Sequence, residues 1–111
     1  MKASENSINP LEYVHDILKG KWKTVILWQL RFRSGATTFQ LKRSIKGISE
    51  KMLLEQLNEL RLYGLVGKKN FVNEPFKVEY YLTEDKGKKL IKAFEIMEEL
   101  GQEYVDGFKN E

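Results

Sequence analysis

Apolar residues recur along this chain in two rhythms. Before residue 63 and after residue 83 they return every three or four positions, the spacing of one helical face. Between those regions they gather into two short runs separated by Asn73-Glu74-Pro75, the punctuation of a hairpin. Asn9-Pro10-Leu11-Glu12 reads as a helix start: Asn9 can cap, Pro10 suits the first position, and Glu12 can bond back. Leu11, Val14, Ile17 and Leu18 form the stripe of this first helix, and Gly20 ends it. A second helix, from about Lys21 to Arg33, carries Trp22, Val25, Ile26, Leu27, Trp28 and Leu30. It is apolar nearly all round, which predicts the central core helix. Thr38 is expected to cap a short third helix, with Phe39, Leu41 and Ile45 inward and Gln40, Lys42 and Arg43 outward, and Gly47 closes it. Ser49 caps a fourth helix whose Leu53, Leu54, Leu57 and Leu60 are expected to bury one face, with Gly64 at its end. Strands follow at about 65–72 and 77–82. Thr83 is then expected to cap a final helix, with Glu84 and Asp85 in its first turn.

This order predicts a mainly α fold with a small antiparallel β-hairpin: a winged helix-turn-helix with a long C-terminal dimerisation helix. A single domain would cover residues 1–111, with the helix-turn-helix at 38–63 and the wing at 65–82. In the last helix, Leu90, Phe94, Met97, Gly101, Tyr104 and Phe108 step by four and three, a 3.5-like seam about 27 Å long. Ile91, Ile96, Leu100 and Val105 widen it. So apolar a helix either folds back on its own core or packs against a two-fold mate. The second reading is the expectation here, with helices in 9–33 and 83–108 contributing the dimer surface through Leu11, Tyr13, Val14 and the seam residues.

Charge adds a direction to this outline. The net charge is only +3, but residues 17–49 hold eight basic side chains and no acidic one. Residues 17–78 hold thirteen basic against four acidic, between acidic ends. A basic middle suggests a surface facing a polyanion, unless the charges scatter in three dimensions. There is no cysteine, so disulfides and thiolate metal sites are excluded and a reducing cytoplasm is the natural location. The opening Met-Lys-Ala-Ser-Glu-Asn-Ser has no apolar run behind it, so no signal peptide is expected, and no apolar segment is long enough for a membrane span.

The predicted surface can meet duplex DNA. The fourth helix would enter the major groove N-terminus first, presenting Ser49, Glu50, Lys51, Met52, Glu55 and Gln56. Lys51 can reach a phosphate or guanine O6/N7, Gln56 can pair with adenine, and Glu55 can accept from cytosine N4. Thr38, Gln40, Lys42 and Arg43 on the preceding helix would contact the backbone. Lys68, Lys69, Asn73 and Lys77 would arm the wing. Enzyme readings lack parts. His15 is the sole histidine, Glu98 and Glu99 adjoin and so face apart, and no glycine-rich phosphate loop occurs. No metal or cofactor is expected. Two other readings stay open. One is a winged helix that docks proteins without binding DNA, suggested by Glu50, Glu55, Glu59 and Phe76. The other adds an unknown small-molecule effector, walled by Tyr13, Trp22, Trp28 and Phe94, although ordinary core packing also explains those aromatics.

Taken in order, Gly20-Lys21-Trp22, Phe39 with Leu41-Lys42, Gly47-Ile48-Ser49, Leu53, Leu57, Leu60, Gly64-Leu65-Val66, Pro75, Lys77-Val78-Glu79-Tyr80, Leu82-Thr83 and Gly87 resemble the HxlR-type winged helix-turn-helix regulators, akin to the MarR regulators. The resemblance covers residues 9–101. It implies a homodimer built from the first and last helices and binding an inverted-repeat operator near a regulated gene; repression by occluding a promoter is the expectation, and activation stays open. The chain departs from that pattern in three places. Asn9 stands where a cysteine is frequent, so the oxidant-sensing thiol of some relatives is missing. Leu54 and Glu55 replace small polar residues and glutamine. Phe76 replaces a second proline, and Glu74 sits at the wing tip.

Overall fold

A computed structural model describes residues 7–109. Its elements are α1 (Pro10–Ile17), α2 (Trp22–Leu30), α3 (Thr38–Ser44), α4 (Glu50–Leu62), β1 (Val66–Asn70), β2 (Val78–Leu82) and α5 (Gly87–Lys109). Local chemistry sets the boundaries. Asn9 Oδ1 accepts the N–H groups of Leu11 and Glu12 at 2.9 and 3.2 Å, and Ser49 Oγ accepts that of Met52 at 3.1 Å. The third helix is capped one residue earlier than expected, by Thr37 and not Thr38. Thr37 Oγ1 accepts the Gln40 N–H at 3.2 Å, and Gln40 Oε1 accepts the Thr37 N–H at 2.9 Å. This reciprocal box satisfies two orphan donors, where a Thr38 cap facing Leu41 would satisfy one.

α4 ends in a Schellman turn. The Leu65 N–H reaches the Leu60 carbonyl and the Gly64 N–H reaches the Arg61 carbonyl, both at 3.0 Å, with Gly64 at φ +74°. α5 starts later than the sequence suggests. Glu84 and Asp85 lie in the turn before it, and Thr83 sits four residues ahead of Gly87. The Thr83 hydroxyl accepts the Gly87 N–H at 2.8 Å and donates to the Gly64 carbonyl at 2.7 Å. One side chain thereby joins the ends of α4 and β2 to the start of α5. Asp85 accepts the Lys86 N–H at 2.8 Å, which holds its carboxyl below the ordinary carboxylate pKa. At Gly87 any Cβ would overlap the Leu65 carbonyl oxygen, so only glycine lets α5 approach this closely.

The strands are shorter than expected and pair antiparallel, Val66 opposite Leu82 and Asn70 opposite Val78. Ala36, in the segment between α2 and α3, exchanges both backbone hydrogen bonds with Tyr80, at 2.9 and 2.8 Å. The hairpin is therefore fastened to the helices along β2. Its tip is a turn in which the Lys77 N–H reaches the Glu74 carbonyl at 3.0 Å. Pro75 occupies the second position and Phe76, at φ +75°, the third, the arrangement of a type II turn. Glycine or asparagine is usual there, and a second proline could not adopt that angle. The Phe76 side chain is fully exposed.

Ile26, Leu27, Leu30, Leu41, Leu53, Leu57 and Leu60 are completely buried, and Tyr80, Leu82, Ile91 and Phe94 close the core around them. Several inward assignments fail. Phe39 is 68% exposed, Leu54 38% and Val25 37%. Each helix meets the core on one side only, and a residue one step from a buried one is turned about 100° away. Phe94 belongs to the core and offers little surface to a dimer seam, while Leu90 packs against the core and stays partly exposed. Trp22 and Trp28 are partly buried against the same cluster.

Beyond Phe94, every described residue of α5 is exposed, and α1 buries none of its own. The chain's radius of gyration is 16.2 Å, against about 13 Å for a compact domain of this size. The excess comes from α5, whose 23 residues extend about 34 Å. No helix among the described residues is long and apolar enough to cross a membrane.

Lys23 is the one buried charge among the described residues. Its Nζ lies 2.9 Å from Glu59 Oε1 and joins α2 to α4, with half of the Glu59 side chain still in water. The pair is asymmetric. Removing Glu59 strands a desolvated ammonium, whereas removing Lys23 leaves a carboxylate that water can solvate. Glu59→Ala is expected to cost about 1–2 kcal/mol, a fully buried pair's penalty discounted for exposure. Lys23→Met, which keeps the volume, should cost less than about 1 kcal/mol. Urea midpoints at unchanged m report both, and the reverse order would refute the assignment. For the wing turn, Phe76→Gly is expected to raise stability by about 1 kcal/mol, relieved backbone strain outweighing the added unfolded-state entropy. A lowered urea midpoint would show that the φ of Phe76 carries no strain.

Candidate nucleic-acid interface

α3 and α4 are joined by a turn anchored through buried Ile45 and Ile48, which leaves the start of α4 at the surface. The first-turn N–H groups of a helix lack intrahelical partners and carry partial positive charge. Ser49, Glu50, Lys51 and Glu55 are exposed there, as expected. Met52 is not: it is half-buried against the core, and its sulfur accepts the Gln56 amide at 3.5 Å. Leu53, Leu57 and Leu60 define the buried face, and Met52 and Gln56 lie on its flank rather than opposite it. Leu54 is on the other flank and is exposed, a position that leucine periodicity assigned to the core.

On α3, Lys42 and Arg43 are exposed. The Gln40 carbonyl oxygen is committed to the capping box, which leaves its amide nitrogen as the free donor. Arg33, Gln40, Arg43 and Ser44 line a depression of 390 Å³, so two guanidinium groups share one concavity. Arg33 was not singled out among the sequence candidates. Its only signal was membership in the acid-free run from 17 to 49. Not all of that run is free surface. Lys23 is buried against Glu59, and Arg31 stacks on Trp28 at 3.9 Å while donating to the Trp28 carbonyl at 2.7 Å.

The wing is organised around Phe71. Lys69 and Lys77 place their ammonium groups 4.9 and 4.6 Å from its ring centroid. Lys77 also lies 3.5 Å from Glu74, so the acid at the wing tip is partly neutralised. Lys68 and Asn73 are exposed. Lys68 and Lys77 meet Thr38 and Phe39 of α3, Leu54 of α4 and Phe76 around a cleft of 420 Å³. The tertiary structure therefore brings residues from all three sequence segments to one face. Lys69 and Asn73 lie outside that cleft, and Met52 is half-buried on the flank of α4 away from Leu54.

Two further clefts are lined by residues of both α1 and α5. Tyr13, Val14, Ile17, Tyr63 and Leu90 are among the walls of one, of 470 Å³. Leu11, Val14, Leu90, Phe94 and Met97 are among those of the other, of 440 Å³. Of the four aromatic wall candidates, Tyr13 lines the first and Phe94 the second. Trp28 lines a smaller cavity beside Met97, and Trp22 packs on the core instead.

Comparison with known proteins agrees with this geometry. The HxlR-like helix-turn-helix family matches residues 17–108. An inferred regulatory protein, MalR, of Fusobacterium mortiferum is 41% identical over 93 residues, covering 84% of this chain and 87% of its own. YdzF of Bacillus subtilis, named as an uncharacterized HTH-type transcriptional regulator, is 40% identical over 81 residues, 73% of each chain. Among solved structures, the redox regulator HypR in its reduced form superposes with a TM-score of 0.80 at 30% identity, over 93% of this chain and all of that one. These relatives are named as regulators, not enzymes. The chain belongs to the HxlR-like helix-turn-helix family of transcriptional regulators.

Proposed function

We propose that this regulator binds double-stranded DNA as a homodimer, at an inverted-repeat operator, and represses by occluding a promoter. The observation that carries the reading is the meeting of α3, the second turn of α4 and the Lys68–Lys77 side of the wing around one cleft, with Lys42, Arg43 and Lys51 exposed on the same two helices. Ser49, Lys51, Glu55 and Gln56 would face base edges, while Thr38, Gln40, Lys42 and Arg43 and the wing residues Lys68, Lys69, Asn73 and Lys77 would hold the backbone. Met52 and Gln56, both half-buried and bonded to each other, stand at the edge of the base-reading set. The protein-docking alternative loses one of its supports, since Glu59 is paired with Lys23, while Glu50, Glu55 and Phe76 remain exposed.

The homodimer reading rests on the unpartnered helices. Leu11, Tyr13 and Val14 of α1 and Met97, Leu100, Tyr104 and Phe108 of α5 are all exposed, and clustered exposed apolar side chains mark interaction surfaces. Gly101 lies on the same stripe with open space around it, a position where a second backbone can approach. A two-fold pairing would set the two α4 helices about one DNA turn apart, ~34–36 Å. The apolar clefts beside α1 favour, as a second layer, an apolar small-molecule effector of this same regulator. The chain would operate inside the cell, where its operator lies.

Selection of bound fragments from random DNA tests the main reading. The recovered motif should be two-fold symmetric, and affinity should fall with salt at a slope of about −0.9 per phosphate neutralised. Arg43→Ala is expected to flatten that slope by about 0.9 for each protomer bound, uniformly across sequences. No salt-dependent binding at micromolar protein would refute DNA recognition. Sedimentation should give twice the 13.1 kDa chain mass, and Tyr104→Glu should return a folded monomer. A wild-type monomer at micromolar concentration would remove the homodimer.

A further inference from the structure

The cleft between α3, α4 and the wing has an unexpected composition for a DNA-facing surface. Its rim is cationic and polar, with Lys68, Lys77 and Thr38, but its walls include Phe39, Leu54 and Phe76. All three of those apolar side chains are exposed, although the core of the domain is complete without them. Leu54 stands on the second turn of α4, three residues after Lys51 and beside Glu55, within the stretch that would enter the major groove. A leucine there cannot hydrogen-bond a base edge. The one apolar group that base pairs offer in the major groove is the thymine 5-methyl.

Resting on the DNA-binding reading above, we propose that Leu54 is a specificity residue that reads a thymine methyl group, with Phe39 and Phe76 completing the apolar wall. The cationic rim selects the occupant. Lys68 and Lys77 favour a phosphate-bearing strand over an apolar protein segment, and the Thr38 hydroxyl adds a neutral phosphate donor. Phe76 borders this cleft from the wing turn, at a positive φ that a bulky residue rarely adopts. The contact makes each half-site carry one thymine whose recognition needs its methyl and no hydrogen bond.

The test uses the fragment that the wild-type protein selects from random DNA. Each thymine is replaced in turn by deoxyuridine, symmetrically in both half-sites, which removes only the methyl and keeps the pairing. One thymine per half-site should respond, with affinity falling about fourfold for each methyl lost, the worth of one buried methyl group. Leu54→Ala should bind the thymine fragment more weakly and show no response to deoxyuridine at that position. The substitution replaces an exposed residue with a strong helix former, so the fold is retained, as a thermal melt would verify. If no deoxyuridine weakens the wild type more than twofold, or if Leu54→Ala keeps the same response, the proposal is overturned while DNA binding stands. If Leu54→Ala binds DNA as the wild type does, the cleft serves another partner and the proposal is again overturned. If the wild type binds no DNA, both readings fall together.

Discussion

Two backbone hydrogen bonds between Ala36 and Tyr80 hold this domain in one working shape. Tyr80 pairs with Lys68 on one side of β2 and with Ala36 on the other, so the wing is a continuation of the helical body rather than a free flap. The buried side chains of Tyr80 and Leu82 seat the same strand in the core. Thr83 then closes the joint from the far end, one hydroxyl bridging the last turn of α4 and the first turn of α5. In the proposed DNA-binding role, α4 and the wing must keep a fixed spacing to engage one duplex. Here that spacing is set by backbone pairing and close packing, which deform little compared with a loop contact.

Electrostatics on this frame is more selective than a count of charges suggests. Lys23 is withdrawn into the protein to hold α2 against α4, and Arg31 lies flat on Trp28. Lys68 and Lys77 stand where α3, α4 and the wing meet, while the acids Glu95, Glu98, Glu99, Glu103 and Asp106 lie along the later part of α5. A basic middle of the chain and an acidic run late in α5 give an approaching polyanion a preferred orientation. Apolar surface divides in the same way. One part is the α1–α5 flank, broad and continuous with the core, and the other is the small apolar patch inside the basic cleft. The first suits a partner of comparable apolarity, and the second suits a base methyl.

Much of the element order was legible because its causes are local. A cap, a proline at a first helical position and a leucine period act over a few residues, and the helix starts at Asn9 and Ser49 and the stop at Gly64 follow directly. Thr37 against Thr38 was decided by a glutamine three residues on, a signal present in the sequence but overlooked. The candidate site was legible by segment more than by residue. That basic groups flank α4 followed from charge, whereas the inward turn of Met52 and the outward turn of Leu54 depended on which arc of the helix meets the core.

By itself, then, the sequence determined the helices, the hairpin, the basic middle and the absence of thiol chemistry, since all of these depend on neighbours along the chain or on composition. Only the tertiary structure decided that Ala36 extends the hairpin, that Lys23 is paired and buried, that Phe94 belongs to the core while Met97 onward stays bare, and that Phe39, Leu54 and Phe76 share a cleft with two lysines. These are contacts between segments far apart in the chain. Periodicity can show that a helix has an apolar face, but only three-dimensional packing sets where that face ends and what lies beside it.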